Sequence, residues 1–209
     1  MIKCYNYRMN KKYWGIAIVL AAVGLGWFAY RSVSPSPTIK NSPEQGNASA
    51  DYKNATYTIN GSQVKLVNGF AETPAAPGSA SMITTRYFGN ELKANLNNDG
   101  REDVAFIVTQ TTGGSGTFYY AVAALNTPNG YVGSDGYLLG DRIAPQSTNL
   151  STDPNQKNVV VFNYADRAPS EPMTTRPSIG KSVYLKLNPD TMQWEVVLSP
   201  EAQRPTTGI

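Results

Sequence analysis

Two kinds of apolar stretch alternate with polar sequence along the chain. The first is a single uninterrupted run, Tyr13 to Tyr30, without a charge. The second kind begins near residue 54: short apolar runs separated by Gly, Asn, Asp and Pro. Short runs bounded by turn residues predict strands rather than helices. Thr56 to Ile59 and Val64 to Val67 flank Asn60-Gly61 and predict a hairpin with a type I′ turn. Asn68-Gly69 punctuates its end, and residues 75–80 read as a loop. Met82 to Phe88 leans to strand. Asp103 to Gln110 and Thr117 to Leu125 carry apolar residues at both parities, with Val104, Phe106 and Val108 set against Ala105 and Ile107. Strands of that kind belong in the middle of a sheet covered on both sides. Val159 to Tyr164 is a third buried run. Ser182 to Leu187 alternates strictly, and Trp194, Val196 and Leu198 continue the same period. Outside residues 13–30 no apolar stripe of helical spacing exceeds about two turns. The expected fold is mainly β: one N-terminal transmembrane helix, then a single antiparallel β-sheet or sandwich domain.

The run at 13–30 spans 18 residues. As a helix it rises ~27 Å, close to a hydrocarbon core of ~30 Å. Aromatic residues sit at both ends, Tyr13 and Trp14 and then Trp27, Phe28 and Tyr30. Lys3, Arg8, Lys11 and Lys12 precede it and only Arg31 follows, which places the N-terminus in the cytoplasm. A cleaved signal peptide is the rival; Ser32-Val33-Ser34 has a cleavage-site form, but Pro35 suits the cut poorly. The expected organisation is a cytoplasmic basic tail (1–12), a signal anchor (13–30), a flexible Ser/Pro linker (31–53), an extracytoplasmic β domain (54–198) and a flexible tail (199–209).

Charge changes the picture once it is divided along the chain. The formal net charge is +3, from 18 basic and 15 acidic residues. Five basic residues and no acid lie in the first 31 positions, so the rest carries 13 basic against 15 acidic residues, a net of −2. A nucleic-acid interface needs a basic face on the folded domain, and this one is mildly acidic. With 13 Tyr, 18 Gly and 14 Pro among 209 residues, the composition suits a turn-rich β domain. The one cysteine, Cys4, precedes the anchor, so the domain beyond it has no internal disulfide. There is no histidine, which excludes Ser-His-Asp and Cys-His catalysis and His-ligated zinc within this chain.

Chemistry concentrates in residues 95–103. Asn95, Asn97, Asp99, Gly100 and Asp103 follow the alternate-ligand spacing of Ca²⁺ loops, with Arg101 offering a backbone carbonyl. A bidentate Glu at the twelfth position is missing; Phe106 stands there. The expected metal set is thus Asn95, Asn97, Asp99, Arg101 and Asp103, binding Ca²⁺ weakly because only two ligands are charged. The competing reading is an Asx-rich turn held by side-chain-to-backbone hydrogen bonds. Gly113 to Gly116 lacks a following helix or Lys and reads as a hairpin turn, not a phosphate cradle. Ser178 to Lys181 matches S-x-x-K without its partner motifs. Asp141-Arg142 and Asp166-Arg167 read as turn or ion-pair residues.

Several stretches together resemble a bacterial envelope domain of the LppP/LprE lipoprotein type, a kind found beside META or lysozyme-inhibitor-like domains. They are Asn95 to Phe106, Gly113 to Tyr120, Leu139 to Arg142, and Glu171 to Met173 leading to Pro177, Ser178 and Tyr184. The resemblance covers about residues 54–190. It implies a periplasmic or cell-surface domain and carries over no catalytic residue. Two departures stand out: no lipobox Cys precedes the domain, and Asn95 stands where the family's loop has Asp. The expected function is a membrane-anchored, non-enzymatic binding or structural domain of the envelope. Its partners are the membrane, through residues 13–30, and an envelope protein or glycan. An inhibitor of a secreted hydrolase such as lysozyme, using Gly113–Gly116 or the loop from Ala168 to Pro177 as a plug, is one alternative. An envelope hydrolase with two acids or a Ser–Lys pair in a deep pocket is the other.

Overall fold

A computed structural model describes residues 49–203. The anticipated anchor at 13–30, the basic tail before it and most of the linker lie outside the described residues. Within them the chain is mainly β and its strand pairings are antiparallel. No helix among the described residues is long and apolar enough to cross a membrane.

A 3-10 turn, Tyr52–Asn54, comes first, its N-terminus capped by the Asp51 carboxylate accepting from Lys53 N–H. Strands β1 (Thr56–Ile59) and β2 (Ser62–Lys65) form the anticipated hairpin. Asn60 and Gly61 both have positive φ, 51° and 75°, as a type I′ turn requires. The same device recurs at Asn68 and Gly69 (51° and 78°), where it delivers the chain into β3 (Phe70–Pro74). The next three strands are β4 (Met82–Ala94), β5 (Asp103–Thr111) and β6 (Phe118–Thr127). Two short strands, β7 (Gly130–Gly133) and β8 (Tyr137–Asp141), then share one side of β6 end to end. These six strands make one sheet. A second sheet of four has the order β12-β11-β10-β9, from β9 (Ala144–Leu150), β10 (Val159–Asp166), β11 (Ile179–Asn188) and β12 (Gln193–Val197).

The two parities of β5 and β6 enter two separate cores. Ala105, Ile107, Ala121, Ala123 and Leu125 pack with Val160, Phe162, Leu185 and Leu187 of the four-stranded sheet. Val104, Phe106, Val108, Val122 and Ala124 pack with Tyr57, Ile59, Val64 and Leu66 of the hairpin region. The domain therefore has three layers, with β5 and β6 at its centre, as their sequence requires. The strict alternation of β11 holds as well: Leu185 and Leu187 are buried, and Val183 packs against them.

Three expectations are corrected. The folded region begins before residue 54. Ser49 pairs with Tyr131 through two backbone hydrogen bonds, and the Tyr52 ring meets Phe106 edge-on at 5.5 Å. Gly130 and Gly133 make room for that segment: a Cβ on Gly133 would lie 2.3 Å from the Thr56 carbonyl oxygen. At the other end, Ser199 to Gln203, expected to be flexible, form a turn closed by Gln203 N–H on the Ser199 carbonyl; the rest of the expected tail lies outside the described residues. Finally, Val196 and Leu198 keep the period of Trp194 but not its burial. Trp194 packs edge-on against Phe162 at 6.1 Å, whereas Val196 and Leu198 are 62% and 64% exposed. Val196 lies on an edge strand and Leu198 one residue past its end, and periodicity alone does not report where a sheet ends.

Candidate functional site

Residues 95–102 join β4 to β5 as a tight loop, with Asn98 and Gly100 at positive φ. Asn97 accepts Asp99 N–H at 3.1 Å, and Asp99 accepts Arg101 N–H at 2.8 Å. These are successive Asx turns. The second Asp99 oxygen takes the Asn97 amide and the Arg101 guanidinium. Arg101 also reaches the Asn126 carbonyl with Nε, tying the loop to the end of β6. The Arg101 N–H, then the Asn97 amide, hold the Asp99 carboxyl below its usual range.

Asp103 behaves differently. It is fully buried, and each carboxylate oxygen accepts one backbone N–H at 2.8 Å, from Leu96 and from Asn126. Burial pushes its pKa up despite those two bonds. Asp103 thus fastens the loop and the β6–β7 connection to the first residue of β5.

The five expected ligands do lie along one loop, and hydrogen bonds inside the protein already engage most of their oxygens. Asp99 faces a guanidinium where a cation would sit. The exception is Asn95, whose Oδ1 is buried with no partner. Among the described residues no three or more His, Cys, Asp or Glu side chains are grouped to hold a metal. Only two of the expected ligands, Asp99 and Asp103, are carboxylates, and both are engaged, so the calcium reading rests on Asn95.

A second constellation occupies the opposite ends of the same strands. The β3–β4 connection (75–81), the β5–β6 connection (112–117), the short β8–β9 turn and the β10–β11 connection (167–178) gather there. A Cβ on Gly113 would touch the Ser81 side chain at 3.3 Å, so the first two loops are in contact. Asp141 accepts Thr117 N–H at 2.8 Å, and Arg142 N–H returns a bond to the Thr117 carbonyl at 2.7 Å. Arg142 folds back onto Asp141 at 3.0 Å with φ of 49°. Arg167 then donates to the Arg142 carbonyl at 2.9 Å and to the Thr175 carbonyl. Glu171 closes the start of the last loop on Ala168 N–H at 2.8 Å. Beneath it, Lys181 pairs with Asp166 at 2.7 Å. That contact, first by its hydrogen bond, lowers the Asp166 carboxyl pKa and raises that of Lys181. The two proposed plug loops, separated by some fifty residues, are therefore linked through Thr117, Asp141, Arg142 and Arg167. The arginines brace loops rather than reach outward.

One polar cluster was not legible in the sequence. Tyr52 and Tyr87 both donate to the same Glu91 oxygen, and the Lys53 ammonium sits 3.7 Å from it and 4.1 Å from the Tyr87 ring centroid. Burial opposes ionisation of Glu91, but the two phenols and Lys53 outweigh it and hold the carboxyl below its usual range. Burial, then the bond to Glu91, pushes both phenols well above the usual tyrosine range. The cluster pins the N-terminal turn to β4; its only sequence signal is the spacing of Tyr87 and Glu91.

Two open clefts are lined by described residues. One of about 470 Å³ lies along β2 and β3, with Lys65, Phe70 and Glu72 in its lining. The other, about 220 Å³, lies between Asn60-Gly61 and β8, beside Asp135 and Leu138. Neither brings together two acids or a Ser–Lys pair. Comparison with protein-family models, curated proteins and solved structures gives no match for this chain.

Proposed function

We propose that the chain is a membrane-tethered, non-enzymatic binding domain of the bacterial envelope, working outside the cytoplasm through its gathered loop end. The observation that carries this reading is the hydrogen-bonded link from Thr117 through Asp141 and Arg142 to Arg167 and Thr175. Loops fixed in place before contact lose less conformational entropy on binding. The stretches that carry the family resemblance support it further, since three of them lie at that end. The tether rests on the uncharged run 13–30 and its flanking charges.

Affinity capture from envelope fractions by the full chain tests the reading. Arg167→Ala releases two loops from each other and is expected to lose partners that the parent chain retains; unchanged capture would count against the loop end. Topology is tested separately by reporter fusions after residue 203, which should be active only outside the cytoplasm.

The link between the two plug loops through Asp141, Arg142 and Arg167 favours one narrower version, inhibition of a secreted hydrolase such as lysozyme. A lysis assay with and without the full chain decides it. The buried, unpartnered Asn95 Oδ1 favours a second addition, weak Ca²⁺ binding by the 95–103 loop once Arg101 leaves Asp99. Thermal melts with Ca²⁺ and with chelator should then differ, and Asp99→Ala should remove the difference; superimposable melts leave only the Asx turn.

A further inference from the structure

The exposed sheet edges are not alike. An open edge strand is a template for pairing with another chain, and folded proteins blunt it with Pro, Lys, bulges or short length. Strand β3 carries Glu72 and ends on Pro74. On β9, Pro145 and a register shift opposite Asn163 and Tyr164 interrupt the ladder. The four-residue β2 ends in exposed Lys65. The outer side of β1 is occupied by backbone bonds with Ser134 and Gly136.

Strand β12, five residues long, lacks a Pro, a Lys and a bulge. Its register with β11 is regular from Gln193 to Val197, and Glu195 is its one charge. Among the described residues no backbone group pairs with its outer side. Val196 stands exposed on the side that carries Trp194, and Leu198, one residue past the strand, is exposed too, its carbonyl accepting from the Gln156 and Gln203 side-chain amides.

We propose that β12 is the seam of a two-fold dimer of this chain, formed by antiparallel pairing of β12 with its copy into a continuous eight-stranded sheet. The side chains select the register. Centring the two-fold axis on Val196 sets Val196 against its own copy, so the exposed isopropyl groups of both chains cover each other. Glu195 then faces Val197. Shifting the centre to Glu195 would oppose two carboxylates, which is unfavourable on a sheet face. A strand that pairs with itself antiparallel gives a closed, isologous interface, so assembly stops at two.

The full chain tests this, with Cys4→Ser removing its one thiol. Directly opposed residues on an antiparallel pair have Cβ atoms about 4.5–5.5 Å apart, near disulfide reach, whereas diagonal neighbours lie about 7–8 Å apart. Val196→Cys is therefore expected to give a covalent dimer on mild oxidation, and Glu195→Cys to give at least about tenfold less at equal time. Without cysteine, sedimentation in detergent should show a dimer that Val196→Lys converts to monomer. The Val196 side chain is exposed, so the lysine variant is expected to melt with the parent at concentrations where both are monomeric. Equal cross-linking at 195 and 196, or a mass unaffected by Val196→Lys, would overturn the proposal.

Discussion

Replacing Asp103 with alanine removes the one carboxylate that joins the 95–102 loop, the end of β6 and the start of β5. Both of its acceptor bonds go to backbone N–H groups, of Leu96 and Asn126, each at 2.8 Å. A hydrogen bond to a charged group contributes about 1.5–3 kcal/mol, and an orphaned buried donor costs about as much. Two such bonds would amount to ~3–6 kcal/mol. Against this stands the cost of burying the charge, visible as a raised pKa, which brings the expected loss to about 3 kcal/mol at neutral pH. For a chain of this size that is a fall in Tm of roughly 6–12 °C. Asp103→Asn keeps one acceptor and should lose about 2 kcal/mol. Glu102→Ala, one residue away and exposed, should stay within ~0.5 kcal/mol.

The pH dependence has a definite sign. Asp103 has a higher pKa folded than unfolded, so between those two values the native state holds more protons. This residue therefore adds stability as pH falls through that window from neutral, and Asp103→Asn removes the increment. Thermal and urea unfolding of the three variants by circular dichroism measures all of this. A loss below about 1 kcal/mol for Asp103→Ala would refute the view that this carboxylate fastens the loop.

Tyr52→Phe and Tyr87→Phe share one acceptor oxygen. Each should cost about 1 kcal/mol, and their double-mutant cycle should show coupling of at least ~0.5 kcal/mol; strict additivity would mean the two phenols act independently. Gly133→Ala forces a methyl group into the Thr56 carbonyl and the Tyr57 ring, and should destabilise by about 1–3 kcal/mol in denaturant melts. Gly180→Ala, with nothing within 4 Å, should be close to neutral. Lys181→Met removes the partner that keeps the Asp166 pKa low. The pair is largely exposed, so its contribution is a few tenths of a kcal/mol above the ordinary carboxylate range, lost as pH falls through the depressed Asp166 value; parent and variant melts should converge in acid.

The features readable from the residues alone are those whose physics is local. An Asn-Gly pair between two alternating runs favours positive φ at two adjacent positions, which is why the Asn60-Gly61 turn could be placed to the residue, whereas the strand after it, Ser62–Lys65, begins two residues before the expected Val64. Apolar residues at both parities of β5 and β6 leave no face for water, so a covered central sheet followed from composition along the strand. Strands β3, β7 and β8 escaped because they are only four or five residues long, and β9 because it is mostly polar, so none shows a pattern of its own. The 95–103 residues were legible as a polar loop, but spacing could not tell Asp99, which answers to Arg101, from Asp103, which answers to backbone amides across the sheet. It took contacts between remote segments to gather four connections at one end, set Glu91 between two tyrosines, or leave Val196 outside the core its period implied. Each of these depends on which strands lie side by side and how far one sheet reaches over another, and those are properties of contacts between segments remote along the chain.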